Sequence, residues 1–193
     1  MMGDSADVFA VIVASRLSGP VIWVGDRNAV DSLAPMALQE FIDPARMILT
    51  GCTTRKEILW ASEQAMRTHG MSCVIVELHD GLTLRDSRRL QLAAGNSGCT
   101  GIILIAGRAH TSAAQTRWEC VASPEEEDAK GREAGDREAG DRGARDRKTM
   151  GWEWRCTKNR QGELGVWRLQ WLGGEDGRAG KARAVRLVSA SAA

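Results

Sequence analysis

The sequence predicts an α/β fold in which a mostly parallel sheet with flanking helices is followed by a C-terminal antiparallel hairpin. Three short and almost continuous apolar runs, Val21–Val24, Cys73–Leu78 and Thr100–Ile105, are separated by helix patterns. Such runs are typical of strands whose two faces are both covered by helices. Residues 152–171 instead alternate apolar and polar side chains around a Lys-Asn-Arg-Gln-Gly turn, and this alternation predicts an antiparallel hairpin.

The first helix pattern precedes the first strand. Ala6–Leu17 is largely apolar, and its length favours a helix rather than a strand, ending before Gly19 and Pro20. Further along the chain, Asn28–Glu40 predicts a short helix and Arg46–Thr50 predicts a strand. Strands that alternate with helices in this way predict a parallel sheet with right-handed crossovers.

Two longer helices carry clearer signals. Thr54 and Glu57 have the Thr-x-x-Glu spacing of a capping box, so we expect a helix over Thr54–Thr68. A second amphipathic pattern, Thr83–Ala94, predicts a helix that ends at Gly95 and Asn96. Residues 117–122 predict a further strand with charged side chains at its edges.

The domain is expected to span residues 6–172, with a charged insertion at 124–149. The insertion has no large apolar residue, a glycine every few positions and charges of both signs. Burial of so little apolar surface cannot offset the entropy lost on ordering, so we expect the insertion to be disordered. Residues 173–193 are rich in Gly, Ala and Ser, and they predict a flexible tail.

Composition narrows the classes of partner and compartment. The net charge of +1 gives no chain-wide electrostatic reason to bind nucleic acid or an anionic membrane. Five scattered cysteines predict buried thiols in a reducing compartment rather than a metal site. Because no apolar run reaches the length of a membrane span and the first residues lack a signal-peptide pattern, we expect a cytoplasmic protein that does not bind a membrane.

Several segments resemble the RecA core. FIDPARMIL and KEILWASEQAMRTHGMSCVIVEL are similar to the RecA stretch that leads into the strand with the magnesium-associated carboxylate. RRLQLAA, RWECVASP and KNRQGELGVWRLQW are more similar to ImuA, the RecA-like accessory protein of a bacterial damage-induced mutagenesis cassette. The resemblance covers roughly residues 8–123 and 151–171, and it implies a RecA-like fold.

The resemblance also implies a function. An ImuA-like protein acts in DNA repair, in error-prone translesion synthesis under the SOS response to DNA damage. Its implied partners are an ImuB-like polymerase relative and an alternative replicative-type polymerase, with RecA as a third candidate partner. Any contact with DNA is then expected to be weak or indirect.

The chain departs from the RecA pattern at the nucleotide site. It has no G-x-x-x-x-G-K-[ST] phosphate loop, and Glu77, which falls at the magnesium-associated position, has no such loop to complete. We therefore expect a pseudo-ATPase that is not an enzyme and holds no cofactor or metal. Two alternatives stay open: a SulA-like inhibitor of cell division induced by DNA damage, and a RecA-like ATPase truncated before its phosphate loop.

The RecA resemblance assigns a role to two cations of the predicted turn. Lys158 and Arg160 match the basic residues that, in RecA filaments, reach the ATP bound by the neighbouring subunit. They could therefore complete a terminal ATP site of a RecA filament, as an arginine finger does. The alternative is that both are solvated turn residues.

Two further groups of residues are candidates for binding. The tryptophans of the hairpin either pack across the strands or form a partner-binding surface. Strand alternation places the first two on one face and the last two on one face. These residues are Trp152, Trp154, Trp167 and Trp171. Three arginines of one helix are candidates for weak contact with DNA phosphates, or form a solvated helix face: Arg85, Arg88 and Arg89.

Overall fold

The computed structural model describes residues 5–33, 38–106, 111–123, 151–171 and 185–192. Within these residues the chain forms a parallel sheet of four strands and an antiparallel sheet of four strands. The α/β class, the parallel sheet with flanking helices and the C-terminal antiparallel hairpin are confirmed. The sequence places the hairpin at one end of the parallel sheet, whereas in the structure it belongs to the second, separate sheet.

The parallel sheet has the strand order β2-β1-β3-β4. Its strands are β1 (Val21–Asp26), β2 (Met47–Cys52), β3 (Cys73–Leu78) and β4 (Thr100–Ile105). The predicted limits of β3 and β4 are confirmed. The side chains of Val74, Ile75 and Val76 are fully buried, because β3 lies inside the sheet with layers on both faces.

Four α-helices flank these strands in the described part of the chain. They are α1 (Ala6–Ser15), α2 (Arg27–Ser32), α3 (Arg55–Arg67) and α4 (Leu84–Ser97). The capping box of α3 is confirmed, since the Glu57 N–H donates to the Thr54 hydroxyl at 3.2 Å and the Thr54 N–H donates to the Glu57 carboxylate at 3.2 Å. No helix among the described residues is long and apolar enough to cross a bilayer.

Helix α2 is shorter than the sequence predicts. The pattern Asn28–Glu40 predicts one helix, but α2 ends at Ser32, and Leu33 has extended backbone angles. Its N-cap is Asp26, whose carboxylate accepts a hydrogen bond from the Asn28 N–H at 3.0 Å. Residues 34–37 lie outside the described residues.

Helix α4 is longer than the sequence predicts. Gly95 and Asn96 were expected to end it, but both lie inside the helix, which continues to Ser97. The residue that ends α4 is Gly98, which has a φ of 74° in the left-handed region. A glycine adopts this backbone conformation without the steric cost that a Cβ imposes.

The antiparallel sheet contains strands in chain order, β5-β6-β7-β8. Its strands are β5 (Thr116–Ala122), β6 (Gly151–Asn159), β7 (Gly165–Trp171) and β8 (Val185–Ala192). The sequence predicts a flexible tail over 173–193, whereas residues 185–192 pair with β7 along its whole length. The predicted disordered insertion at 124–149 lies outside the described residues.

Helix α1 lies between the two sheets. One face of the parallel sheet packs against α3 and α4, and its other face shares a core with α1 and the antiparallel sheet. The Phe9 ring contacts the Trp154 ring edge-on at a centroid distance of 4.6 Å and the Trp118 ring at 5.3 Å. The molecule is therefore layered as helices, parallel sheet, helix and antiparallel sheet.

The residue at which α4 ends can be tested with substitutions of two glycines. A Cβ at Gly95 has nothing within 4 Å, so Gly95→Ala should raise the free energy of unfolding by about 0.5–1 kcal/mol through helix propensity. Gly98→Ala should lower it by about 1–2 kcal/mol, because alanine is strained at a left-handed φ. Urea unfolding followed by circular dichroism measures both. A helix that ended at Gly95 would give the reverse order.

Candidate functional site

The carboxyl edge of the parallel sheet is the usual place for a ligand in a fold of this kind. The strand order changes direction between β1 and β3, and open α/β sheets bind ligands beside such a point. All four helices begin near this edge. Each carries a carboxylate on or next to its first turn: Asp7, Asp26, Glu57 and Asp86.

Side chains at these helix N-termini accept hydrogen bonds from backbone N–H groups that would otherwise be available to an anion. Asp7 accepts a hydrogen bond from the Val8 N–H at 2.8 Å. Glu57 accepts from the Thr53 N–H at 2.9 Å, and this bond, with a second from the Thr53 hydroxyl, holds the pKa of Glu57 below its usual range. The Thr83 hydroxyl accepts from the Asp86 N–H at 3.1 Å. Helix N-termini that bind phosphate offer free N–H groups and a positive field, whereas these are capped and negatively charged.

Glu77 lies at the carboxyl end of β3, as the resemblance to RecA places it. Its carboxylate is half-buried and accepts a hydrogen bond from the indole N–H of Trp23 at 3.3 Å. It borders a cavity of about 220 Å³ that is also lined by Asp7, His79 and Leu104. The described residues contain no group of three or more His, Cys, Asp or Glu that could hold a metal ion.

The cations of the β6–β7 turn have two different environments. Lys158 is half-buried, and its ammonium donates to the Ser112 carbonyl at 2.9 Å. Burial lowers the pKa of Lys158, and the neighbouring charges of Arg160 and Arg117 lower it further. Arg160 is exposed, and its backbone N–H donates to the Gln115 carbonyl at 3.1 Å. Only Arg160 therefore fits the alternative of a solvated turn residue.

A third cation lies beside Lys158 and Arg160, and the sequence does not identify it. Arg117 of β5 is the cross-strand partner of Lys158 in β6. The sequence predicts a strand with charged edges over residues 117–122, but it does not show which strand this one joins. We call Arg117, Lys158 and Arg160 the cation cluster.

Beside the cation cluster lies a cleft of about 700 Å³ between β4 and β5. Phe9 and Val13 of α1 line one side of the cleft, and Leu90 and Ala94 of α4 line another. Arg117 is the one charged side chain among the described residues that line it. No local pattern in the sequence predicts this cleft.

As strand alternation predicts, the two tryptophans of β6 share one face of the antiparallel sheet and so do the two tryptophans of β7. The register between the strands puts both pairs on the same face. Trp154 is the cross-strand partner of Trp167, and both pack against the core shared with α1. Trp152 and Trp154 are 2% and 8% exposed, so in this structure they pack inside rather than offer a binding surface. Trp167 and Trp171 are half-buried against the same core.

The three arginines of α4 differ in their contacts. Arg89 forms an ion pair with Glu63 of α3, which also pairs with Arg67 at 2.7 Å. Arg88 donates to the Gln91 side-chain amide oxygen at 2.6 Å. Arg85 and Arg88 are exposed. The structure thus joins Arg89 to the neighbouring helix and leaves the other two on the helix surface.

The expectation of buried thiols is confirmed. All five cysteines are buried and unpaired: Cys52, Cys73, Cys99, Cys120 and Cys156. Burial raises the pKa of Cys73 and of Cys120 to about 12. Because the thiolate is the nucleophilic form, neither of these two thiols is suited to catalysis at neutral pH.

The chain matches no protein-family model and no curated protein. The resemblance to ImuA therefore stays a prediction that rests on the segments quoted from the sequence.

The ion pairs that anchor Arg89 can be tested through their pH dependence. The hydrogen bond from Arg67 lowers the pKa of Glu63 from 4.5, against the opposing effect of burial, and Arg89 lowers it further. The folded pKa lies below the unfolded one, so Glu63 stabilises the protein fully above pH 4.5, and this contribution is lost as pH falls. Because both arginines are largely exposed, Glu63→Gln should cost only about 1 kcal/mol at pH 7.

Thermal unfolding of wild type and Glu63→Gln at pH 7 and pH 3 measures this effect. The difference in Tm should be clear at pH 7 and should shrink at pH 3. Glu163→Gln, in the exposed turn between β6 and β7, is the control and should leave Tm nearly unchanged at both values. An equal loss of Tm at pH 3 would show that Glu63 acts through packing and not through its charge.

Proposed function

We propose that this chain is a non-catalytic adaptor in SOS-induced error-prone translesion DNA synthesis, similar to ImuA. In this role it contacts an ImuB-like polymerase relative and an alternative replicative-type polymerase in the cytoplasm. RecA filaments are a further candidate partner. The proposal rests on the quoted sequence resemblance and on the order of the parallel strands and helices, in which the resembling segments KEILWASEQAMRTHGMSCVIVEL and RRLQLAA form α3, β3 and part of α4.

The observation that supports a non-catalytic role is the charge at the carboxyl edge of the parallel sheet. A nucleotide-binding edge presents free N–H groups and cations to the phosphates. Here Asp26, Thr54 and Thr83 are the N-caps of the helices that follow β1, β2 and β3. Glu57 completes the capping box of the second of these helices. A triphosphate at this edge would meet carboxylates and backbone donors that are already bonded, so its binding is unfavourable.

The cation cluster supports a contact with an anionic partner. Arg160 is exposed at the end of the antiparallel sheet, and Lys158 is held beside it by the bond to the Ser112 carbonyl. The positive charges of Arg160 and Arg117 add to the effect of burial in lowering the pKa of Lys158, and a nearby anion would relieve that repulsion. The phosphates of ATP at the end of a RecA filament are one anion of this kind.

Nucleotide binding is the first test of this proposal. Isothermal titration of the protein with ATP and Mg²⁺ should show no saturable binding in the micromolar range, because the carboxylates at the carboxyl edge repel the phosphates. A control titration with MgCl₂ alone corrects for dilution and metal effects. Saturable binding with one site per chain would contradict the pseudo-ATPase proposal and favour the truncated RecA-like ATPase.

Charge reversal of Arg160 tests the contact with RecA. Arg160 is the exposed member of the cluster, whereas Lys158→Glu would also break the bond to Ser112. In co-sedimentation with ATP-bound RecA filaments, Arg160→Glu should bind at least about fivefold more weakly than the parent chain. The control is Arg186→Glu, an exposed arginine of β8. Equal binding of Arg160→Glu and the parent, or no binding of the parent, rejects RecA as a partner.

The polymerase partners need a separate measurement. A pull-down with the parent chain from DNA-damaged cells, identified by mass spectrometry, should recover the ImuB-like polymerase relative. Recovery of the division GTPase in its place would favour the SulA-like alternative. Recovery of neither protein would count against both adaptor roles.

A further inference from the structure

The cleft between β4 and β5 has the size of a small-molecule site. Its volume of about 700 Å³ lies within the range of about 300–1,000 Å³ that is typical of ligand pockets. Residues of four elements line it: α1, α4, β4 and β5. A molecule bound in the cleft would therefore contact both sheets and the helices beside them.

One wall of the cleft is aromatic. Phe9 and Trp118 both line it, and their ring centroids are 5.3 Å apart at an interplanar angle of 41°. The Trp118 ring also packs against the Trp167 ring at a centroid distance of 4.9 Å, and this contact holds the wall in place. Because aromatic rings gain from offset or edge-on contact with a further ring, this wall favours a ligand that contains one.

Away from the aromatic wall the cleft is largely aliphatic. Leu90 and Ala94 of α4 line it, together with Ile102 of β4. Gly101 has no side chain, and the Met66 methyl carbon lies 2.8 Å from the position that a Cβ would occupy there. The glycine thus leaves room for the Met66 side chain, which also lines the cleft.

The polar side chains of α4 that line the cleft are bonded within the protein. The Ser87 hydroxyl donates to the Leu84 carbonyl at 2.8 Å and accepts from the Ala113 N–H at 2.9 Å. The Gln91 side-chain oxygen accepts from the Arg88 guanidinium at 2.6 Å. These groups are therefore already satisfied without a ligand.

Polar groups that precede β5 and begin it are engaged as well. The Ser112 carbonyl accepts from the Lys158 ammonium, and the Gln115 carbonyl accepts from the Arg160 N–H at 3.1 Å. Arg117, the charged residue of the lining, also has an interaction within the chain. A charged ligand group would lose its hydration here without gaining a free partner from these residues, so the cleft favours a neutral molecule.

We propose that the cleft between β4 and β5 binds a neutral small molecule that contains an aromatic ring. Burial of the apolar surface of the ligand supplies the affinity, and the aromatic wall orients the ring. This site is distinct from the carboxyl edge of the parallel sheet, and it does not depend on the proposed adaptor role.

Two fluorescent probes with the same ring skeleton test the class of ligand. N-Phenyl-1-naphthylamine is neutral, and 8-anilino-1-naphthalenesulfonate adds a sulfonate to the same rings. In fluorescence titrations of the full chain, the neutral probe should bind saturably and at least about fivefold more tightly than the sulfonate, which must lose its hydration. Absence of saturable binding by the neutral probe, or equal or tighter binding of the sulfonate, would overturn the proposal.

Methionine methyl groups locate the bound probe. Met66 is one of the described residues that line the cleft, and Met71 is not. In protein labelled with carbon-13 at the methionine methyl groups, the ring current of the neutral probe should shift the Met66 resonance and leave the Met71 resonance unchanged. The Met66→Leu variant assigns the Met66 resonance. An unshifted Met66 resonance at saturation would place the probe elsewhere and reject the site.

A matched pair of variants tests the same site by filling it. Gly95 lines the cleft, and a Cβ there meets nothing within 4 Å, so a larger side chain has room to occupy the cleft. Gly95→Trp should lower the affinity for the neutral probe at least about tenfold, while Gly95→Ala should bind as the parent does. Full binding of the neutral probe by a folded Gly95→Trp variant would contradict the proposal.

Discussion

The packing of α1 between the two sheets is the constraint on which the rest of the structure depends. In the described part of the chain the two sheets share no strand, and α1 contacts strands of both. Ala10 and Ala14 are fully buried, and such small side chains let a helix approach its neighbours closely. Phe9 extends from the same helix to the rings of Trp118 and Trp154. Burial of these large rings contributes about 1.5–3 kcal/mol each, so α1 couples the stability of one sheet to that of the other.

The same layering explains which elements the sequence could predict. The limits of β3 and β4 follow from their apolar runs, because layers on both faces exclude polar residues from the interior positions. Beyond Asp7 in its first turn, α1 is apolar as far as Ala14 for the same reason, so its periodicity is uninformative and only its length favours a helix. At the end of α4 the composition is misleading. The Ser97 hydroxyl donates to the Ala93 carbonyl at 3.3 Å inside the last turn, and the helix passes Gly95 and ends at Gly98.

The remaining features depend on contacts between distant residues. β8 is exposed along most of its length, and backbone pairing with β7 rather than apolar burial holds it, so its composition predicts a tail. The resemblance to RecA groups Lys158 with Arg160, but Arg117 joins them only through the register of β5 on β6. The cleft likewise requires β4 and β5 to be the end strands of different sheets. Alternation predicts a strand without specifying its neighbour, so neither feature could be predicted from local sequence.

The net charge is small, but the negative and positive side chains lie in separate regions of the molecule. Carboxylates gather at the carboxyl edge, where Asp7, Asp26, Glu57 and Asp86 lie on or beside the first turns of their helices. Cations gather instead at the end of the antiparallel sheet, beside the cleft. Because charged groups act mainly within a Debye length of about 8–10 Å, each region attracts ligands by its own charge and not by the total. The usual ligand-binding edge of the fold therefore carries negative charge, which disfavours phosphate, while positive charge lies at the β6–β7 end of the antiparallel sheet.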